Sequence, residues 1–141
     1  MQIMKQLPQE KTDTIKKTIT KKQILDLQTM VSEIYVSEAI YIYVKNLVFA
    51  TRFPEQYGLD SLKQYIDRGV SPRASLALIQ CAKVLALMSG RAYVLPEDIK
   101  EIAHDVMRHR LVLSFEALAS DITPDQIITQ VLDTIPLVEE V

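Results

Sequence analysis

The segment Gly69–Gly90 constrains the fold more than any other part of the chain, because it predicts a helix with clearly marked ends. Ser71 can cap the start, Pro72 suits the first helical position, and Gly90 can close the helix. Between them, apolar side chains cover most of the circumference: Ala74, Leu76, Ala77, Leu78, Ile79, Ala82, Leu85, Leu87 and Met88. A helix that is apolar nearly all round is expected in the interior of a domain.

Arg73 departs from this apolar pattern. It lies in the first turn, where the helix dipole disfavours a cation. A guanidinium beside free backbone N–H groups binds phosphate well, and Gln80 lies two turns further along nearly the same face. The residues alone leave two interpretations open: an ion pair with a nearby carboxylate such as Asp67, or a phosphate ligand.

Composition sets the class of protein. With 141 residues, 48% of them hydrophobic, the chain predicts one domain with a real core. A net charge of -2 argues against a general nucleic-acid binder. The single cysteine, Cys81, allows no internal disulfide and is expected to be a small core residue. No signal peptide or membrane span is expected, which favours the cytoplasm.

Local signals predict helices along the rest of the chain. Capping boxes occur at Thr20–Gln23 and Thr123–Gln126. Apolar residues at helical spacing predict a helix from Lys21 to about Ile34, and others after Ser37 and from Pro96. A short helix is expected within residues 60–67, inside a connecting segment. With no pair of alternating strands predicted, the fold class is all-α, a bundle of about four to six helices.

No catalytic group can be recognised in the sequence. The nucleophiles Ser71, Ser75 and Cys81 have no histidine nearby in sequence to act as a base. His104 and His109 lack a third ligand at metal spacing, so we expect no metal site. A glycine-rich phosphate loop is also missing from the sequence.

Three motifs resemble the C-terminal part of the MoxR family of AAA+ ATPases, in the family's order and spacing. They are Gly69-Val-Ser-Pro-Arg-Ala-Ser, Ser89-Gly-Arg-Ala-Tyr-Val-Leu-Pro-Glu-Asp-Ile and Met107-Arg-His-Arg-Leu-Val-Leu-Ser-Phe-Glu-Ala. Thr51-Arg52 at the end of the second predicted helix also resembles the family. The resemblance covers roughly residues 20–136.

The resemblance implies a lid domain over residues 20–141, with residues 1–19 as a remnant or linker from the end of the AAA+ core. Arg73 would be the sensor 2 arginine, acting in catalysis with the core, and Ser71, Pro72 and Arg73 would adjoin ATP, whose magnesium the core would hold. Similar proteins form rings, usually hexamers, act as chaperone-like remodellers, and often work with von Willebrand factor A domain proteins.

The family's Walker A and Walker B motifs, sensor 1 and arginine finger do not occur in this sequence. The chain is therefore expected to be a fragment that does not hydrolyse ATP by itself. The alternative is a stand-alone helical interaction module in which Arg73 forms a local ion pair. A small DNA-binding domain is a third interpretation, which the charge balance opposes. No nucleic-acid or membrane partner is expected.

Overall fold

The computed structural model describes residues 16–137. Six α-helices form most of this part of the chain: α1 (Lys21–Glu33), α2 (Glu38–Arg52), α3 (Arg73–Met88), α4 (Pro96–Met107), α5 (Phe115–Ala119) and α6 (Pro124–Thr134). Short 3₁₀ turns occur at Pro54–Tyr57, Asp60–Tyr65 and Arg108–Arg110. The predicted all-α fold class is confirmed.

Both predicted capping boxes are present. Thr20 accepts a hydrogen bond from the Gln23 N–H while the Gln23 side chain accepts from the Thr20 N–H, so α1 begins where the sequence indicates. Thr123 and Gln126 form the same reciprocal pair at the start of α6. Ser37 caps α2 through the Ile40 N–H, as expected. These starts were predictable because the capping bonds join residues three apart in sequence.

Two strand-like contacts that the sequence did not predict connect the helices. β1 (Ile66–Arg68) pairs antiparallel with β2 (Val112–Leu113), with Arg68 opposite Val112. A parallel bridge joins Tyr35 to Tyr93. The expectation of no paired strands was therefore wrong at these places, where chain segments distant in sequence satisfy each other's backbone groups. The short helix expected within residues 60–67 forms as a 3₁₀ turn that leads into β1.

The core lies between α2, α3, α4 and α6. Its fully buried side chains include Leu47 and Val48 of α2, Leu78 of α3, Ile99 of α4 and Ile128 of α6. α3 and α4 form the most extensive helix pair, joined by a corner in which Gly90 has a φ of 71°. There the Arg91 N–H donates to the Ala86 carbonyl and the Gly90 N–H to the Leu87 carbonyl, which closes α3 as predicted.

α3 is not buried on all sides. One face packs into the core through Ala74, Leu78, Ile79, Ala82 and Ala86, whereas Leu76, Val84 and Met88 are exposed. Cys81 is also exposed, so its expected place in the core was wrong. The neighbouring helices cover only some of the apolar residues of α3. α1 lies beside the exposed residues Val84 and Met88, and none of its own residues is buried.

Candidate functional site

Arg73 is the first residue of α3, and its side chain is exposed. Pro72 precedes it with helical angles, φ −56° and ψ −24°. Pro72 has no N–H, so the start of α3 presents one donor fewer than an ordinary helix, and the ring restricts the φ of Pro72. The structure therefore places a cation where the helix dipole is positive, as the sequence predicted.

The Ser71 side chain does not cap α3, and that expectation was wrong. The Ser71 backbone carbonyl instead accepts a hydrogen bond from the Ala74 N–H at 2.9 Å. This tight turn already satisfies the donor that a capping Ser71 hydroxyl would bind three residues later. Ser71 remains exposed, with its hydroxyl available to other partners.

Two backbone donors remain unused at this helix start. Among residues 16–137, the N–H groups of Ser71 and Arg73 find no acceptor. Exposed N–H groups at a helix start attract anions, and an arginine beside them adds a formal positive charge and a planar set of donors. The chemistry of this donor set fits a phosphate oxygen better than it fits a metal ion.

The ion pair that could have explained Arg73 is not formed. Within the described chain, salt bridges join Lys63 to Glu55, Arg91 to Asp98, and Arg108 to both Asp105 and Asp125; none involves Arg73 or Asp67. Gln80, further along α3, is likewise exposed. Arg73 therefore has no carboxylate partner within residues 16–137.

The loop before Arg73 is held against the last turn of α2. A Cβ added to Gly69 would lie 2.3 Å from the Thr51 carbonyl oxygen, so only glycine fits at this position. The φ of Gly69 is not positive, so the close contact with Thr51, and not a left-handed turn, is what requires glycine here. The next residue, Val70, donates its N–H to the Thr51 hydroxyl at 2.9 Å. The sequence did not predict this contact.

A second polar cluster, which the sequence did not predict, lies in the connector that follows α3. The Arg91 guanidinium donates to both Asp98 oxygens, at 2.9 and 2.6 Å. Leu95 donates its N–H to the same carboxylate at 2.7 Å. Asp98 is only 5% exposed and Arg91 is partly buried, so the pair attaches the connector between α3 and α4 to the first turn of α4.

Neither a metal-ligand cluster nor a membrane-spanning helix is found in the part of the chain that the structure describes. No three His, Cys, Asp or Glu side chains are grouped as metal ligands there. None of the helices in residues 16–137 combines the length and apolar character that crossing a membrane requires.

Comparison with known proteins shows what kind of domain carries this site. The family model described as AAA lid domain matches residues 61–131, half of the chain. Chaperone MoxR1 of Mycobacterium tuberculosis is 45% identical over 122 residues, which are 86% of this chain and 32% of that protein. Protein MoxR of Methylorubrum extorquens is 34% identical over 104 residues, which are 70% of this chain and 30% of that protein.

A solved structure agrees with these sequence relatives. The crystal structure of a protein from Cytophaga hutchinsonii, provisionally assigned as an ATPase, superposes with a TM-score of 0.84 and 40% identity, over 86% of this chain and 37% of that one. The chain spans about a third of the length of the curated relatives that it matches. It belongs to the AAA lid domain family, and its lid is that of a MoxR-family ATPase.

Proposed function

We propose that Arg73 is the sensor 2 arginine of this lid and contacts the γ-phosphate of ATP. The observation that carries the proposal is an exposed arginine at the start of α3 with no carboxylate partner among the described residues. A cation in that position is disfavoured by the helix dipole unless an anion accompanies it. During phosphoryl transfer, the guanidinium would stabilise the negative charge on the transferred group.

The neighbouring residues would adjoin the same ligand. Ser71 would present its free N–H and hydroxyl, and Pro72 would hold the loop in shape while its ring lies against the nucleotide. ATP and its magnesium would be bound mainly by a AAA+ core domain, because this sequence has no glycine-rich phosphate loop. The lid alone would not hydrolyse ATP.

The whole protein would couple nucleotide state to chaperone-like remodelling. Support comes from relatives that are named as the chaperone MoxR1 and as MoxR proteins. On this proposal, residues 20–141 form the lid and residues 1–19 the last segment of the core, of which the structure describes only residues 16–19. The protein would assemble as a homo-oligomeric ring, a hexamer, in the cytoplasm, with a von Willebrand factor A domain protein as partner.

One observation favours a second candidate function, a helical interaction module. Ile24 and Leu27 of α1 and Val84 and Met88 of α3 line an open apolar groove and are all exposed. Such a groove can bind a partner whether or not nucleotide is present. A module of this kind would keep its partner when Arg73 is removed.

The test is ATP turnover by the longest polypeptide that the gene encodes, measured beside the 141-residue chain. We expect turnover only in the longer protein, and we expect Arg73→Ala to lower kcat at least tenfold, since a tenfold loss corresponds to about 1.4 kcal/mol of transition-state stabilisation. Arg73→Lys should have a kcat close to that of Arg73→Ala, because the lysine ammonium group lacks the planar donor set of arginine.

Arg68→Ala is the matched control, because Arg68 is also exposed and unpaired among the described residues. It should leave kcat within about twofold of the unmodified protein. Equal turnover per folded molecule in Arg73→Ala would overturn the sensor 2 proposal. Absence of turnover in the longer protein would favour the interaction module.

A further inference from the structure

The last turn of α2 holds the loop that delivers Arg73. Thr51 is 0% exposed, yet its side chain is polar. The hydroxyl donates to the Val48 carbonyl at 2.7 Å and accepts from the Val70 N–H at 2.9 Å. A hydroxyl can do both at once, which valine or alanine cannot do at all.

Two further contacts tie the same loop to α2. The backbone of Gly69 lies directly on the Thr51 carbonyl, at a separation that excludes any side chain at Gly69. The Arg52 guanidinium reaches the Val70 carbonyl at 3.4 Å. Val70 therefore has both of its backbone groups bonded to the end of α2, and its side chain is 0% exposed. The loop is attached at this point.

Only Ser71 and Pro72 separate this attachment from Arg73, and the ring of Pro72 restricts the backbone rotation available between them. We infer that Thr51 is a positioning residue for Arg73: by bonding the Val70 N–H, it sets the direction from which the guanidinium meets the phosphate. The inference rests on the proposed function, since it concerns the same arginine.

A merely structural Thr51 would contribute to folding alone. A positioning Thr51 must also change turnover in molecules that are folded, and only when Arg73 is present. The two roles therefore differ in a measurable way.

The experiment compares kcat and KM for ATP, per folded molecule, in the longest polypeptide that the gene encodes. Thr51→Val keeps the shape of the side chain but removes the hydroxyl, and we expect kcat to fall about threefold to thirtyfold as the arginine loses its orientation. Thr51→Ser keeps the hydroxyl and should restore kcat to within about twofold. The double variant Thr51→Val, Arg73→Ala should be no slower than Arg73→Ala.

Two controls separate positioning from loss of stability. Thr134→Val makes the same substitution at an exposed threonine of α6 whose hydroxyl bonds the Gln130 carbonyl, and it should not change kcat. Val131→Ala opens the core at a fully buried position of α6 and should reduce stability without changing kcat per folded molecule.

A second measurement needs no Thr51 variant and so holds even if Thr51→Val fails to fold. Coupling between sites is reciprocal, so a non-hydrolysable ATP analogue that binds Arg73 must also stabilise the Val70–Thr51 bond. Hydrogen exchange of the Val70 amide should slow about threefold or more when the analogue binds, and not in Arg73→Ala.

The outcomes distinguish the two proposals. If Arg73→Ala leaves turnover unchanged, the proposed function fails and this inference fails with it. If Arg73→Ala is slow but Thr51→Val turns over like Thr51→Ser, Thr51 is structural only and the inference alone is overturned. The inference would also be overturned if the hydrogen-exchange rate of the Val70 amide in the unmodified protein were the same with and without the analogue.

Discussion

At the scale of single residues, Asp98 shows how a buried charge is accommodated. Burial by itself raises the pKa of this carboxyl group, but the Arg91 guanidinium and the Leu95 N–H outweigh burial and bring the pKa below its ordinary value of 3.8. The native state thus binds the proton of Asp98 less readily than the unfolded chain does. Its contribution to stability is complete above the unfolded pKa and disappears as pH falls through the lowered folded pKa.

Asp98→Asn should therefore change the acid limb of the stability curve. We expect the free energy of unfolding to fall less steeply between about pH 5 and about pH 2 in this variant than in the unmodified chain. Near pH 7 the variant should be less stable by roughly 1.5–3 kcal/mol, because Arg91 loses a charged acceptor. Urea unfolding across this pH range measures both effects. Asp26→Asn, at an exposed carboxylate of α1, is the control, and equal acid slopes in all three chains would contradict the prediction.

At the scale of elements, α3 has one buried face and one exposed face despite its apolar sequence. Leu78 is 0% exposed and Leu76 is 69% exposed, although they lie only two positions apart. Leu78→Ala should cost roughly 2–5 kcal/mol by leaving a cavity in the core. Leu76→Ala should change the free energy of unfolding by less than about 0.5 kcal/mol. Chemical denaturation of the two variants provides the comparison, and similar losses would mean that the exposed face of α3 is covered in solution.

The starts of α1, α2 and α6 could be predicted from the sequence because the capping bonds of Thr20, Ser37 and Thr123 are local, whereas the expected Ser71 cap of α3 did not form. The buried face of α3 could not be predicted, because apolar residues occur around the whole helix and their pattern does not indicate which face the neighbouring helices cover. The close approach of Gly69 to Thr51 joins residues far apart in sequence, and glycine alone indicates either a turn or a tight contact. Arg73 could be proposed as a site residue because its charge conflicts with its position at a helix start, which is a local signal.

At the scale of the whole molecule, buried side chains are unevenly distributed among the helices. α2, α3, α4 and α6 each contribute fully buried side chains, whereas α1 has none among its 13 residues. α1 contacts α3 through half-exposed apolar groups such as Leu27 and Val31, which line the open groove between the two helices. Little apolar area is removed from water there, so α1 gains less from packing than the other long helices do.

We therefore expect α1 to open without unfolding the rest of the chain. Backbone amides in the middle of α1 should exchange with solvent deuterium at least about a hundredfold faster than those of α3, whose opening requires global unfolding. α6 is the internal control, since it is shorter, with 11 residues, but buries Ile127, Ile128 and Val131. Amide exchange of the 141-residue chain followed by NMR tests this ordering. If the amides of α1 were as well protected as those of α3, the groove between the two helices would have to be closed in solution. If the amides of α6 exchanged as fast as those of α1, helix length rather than burial would control local opening.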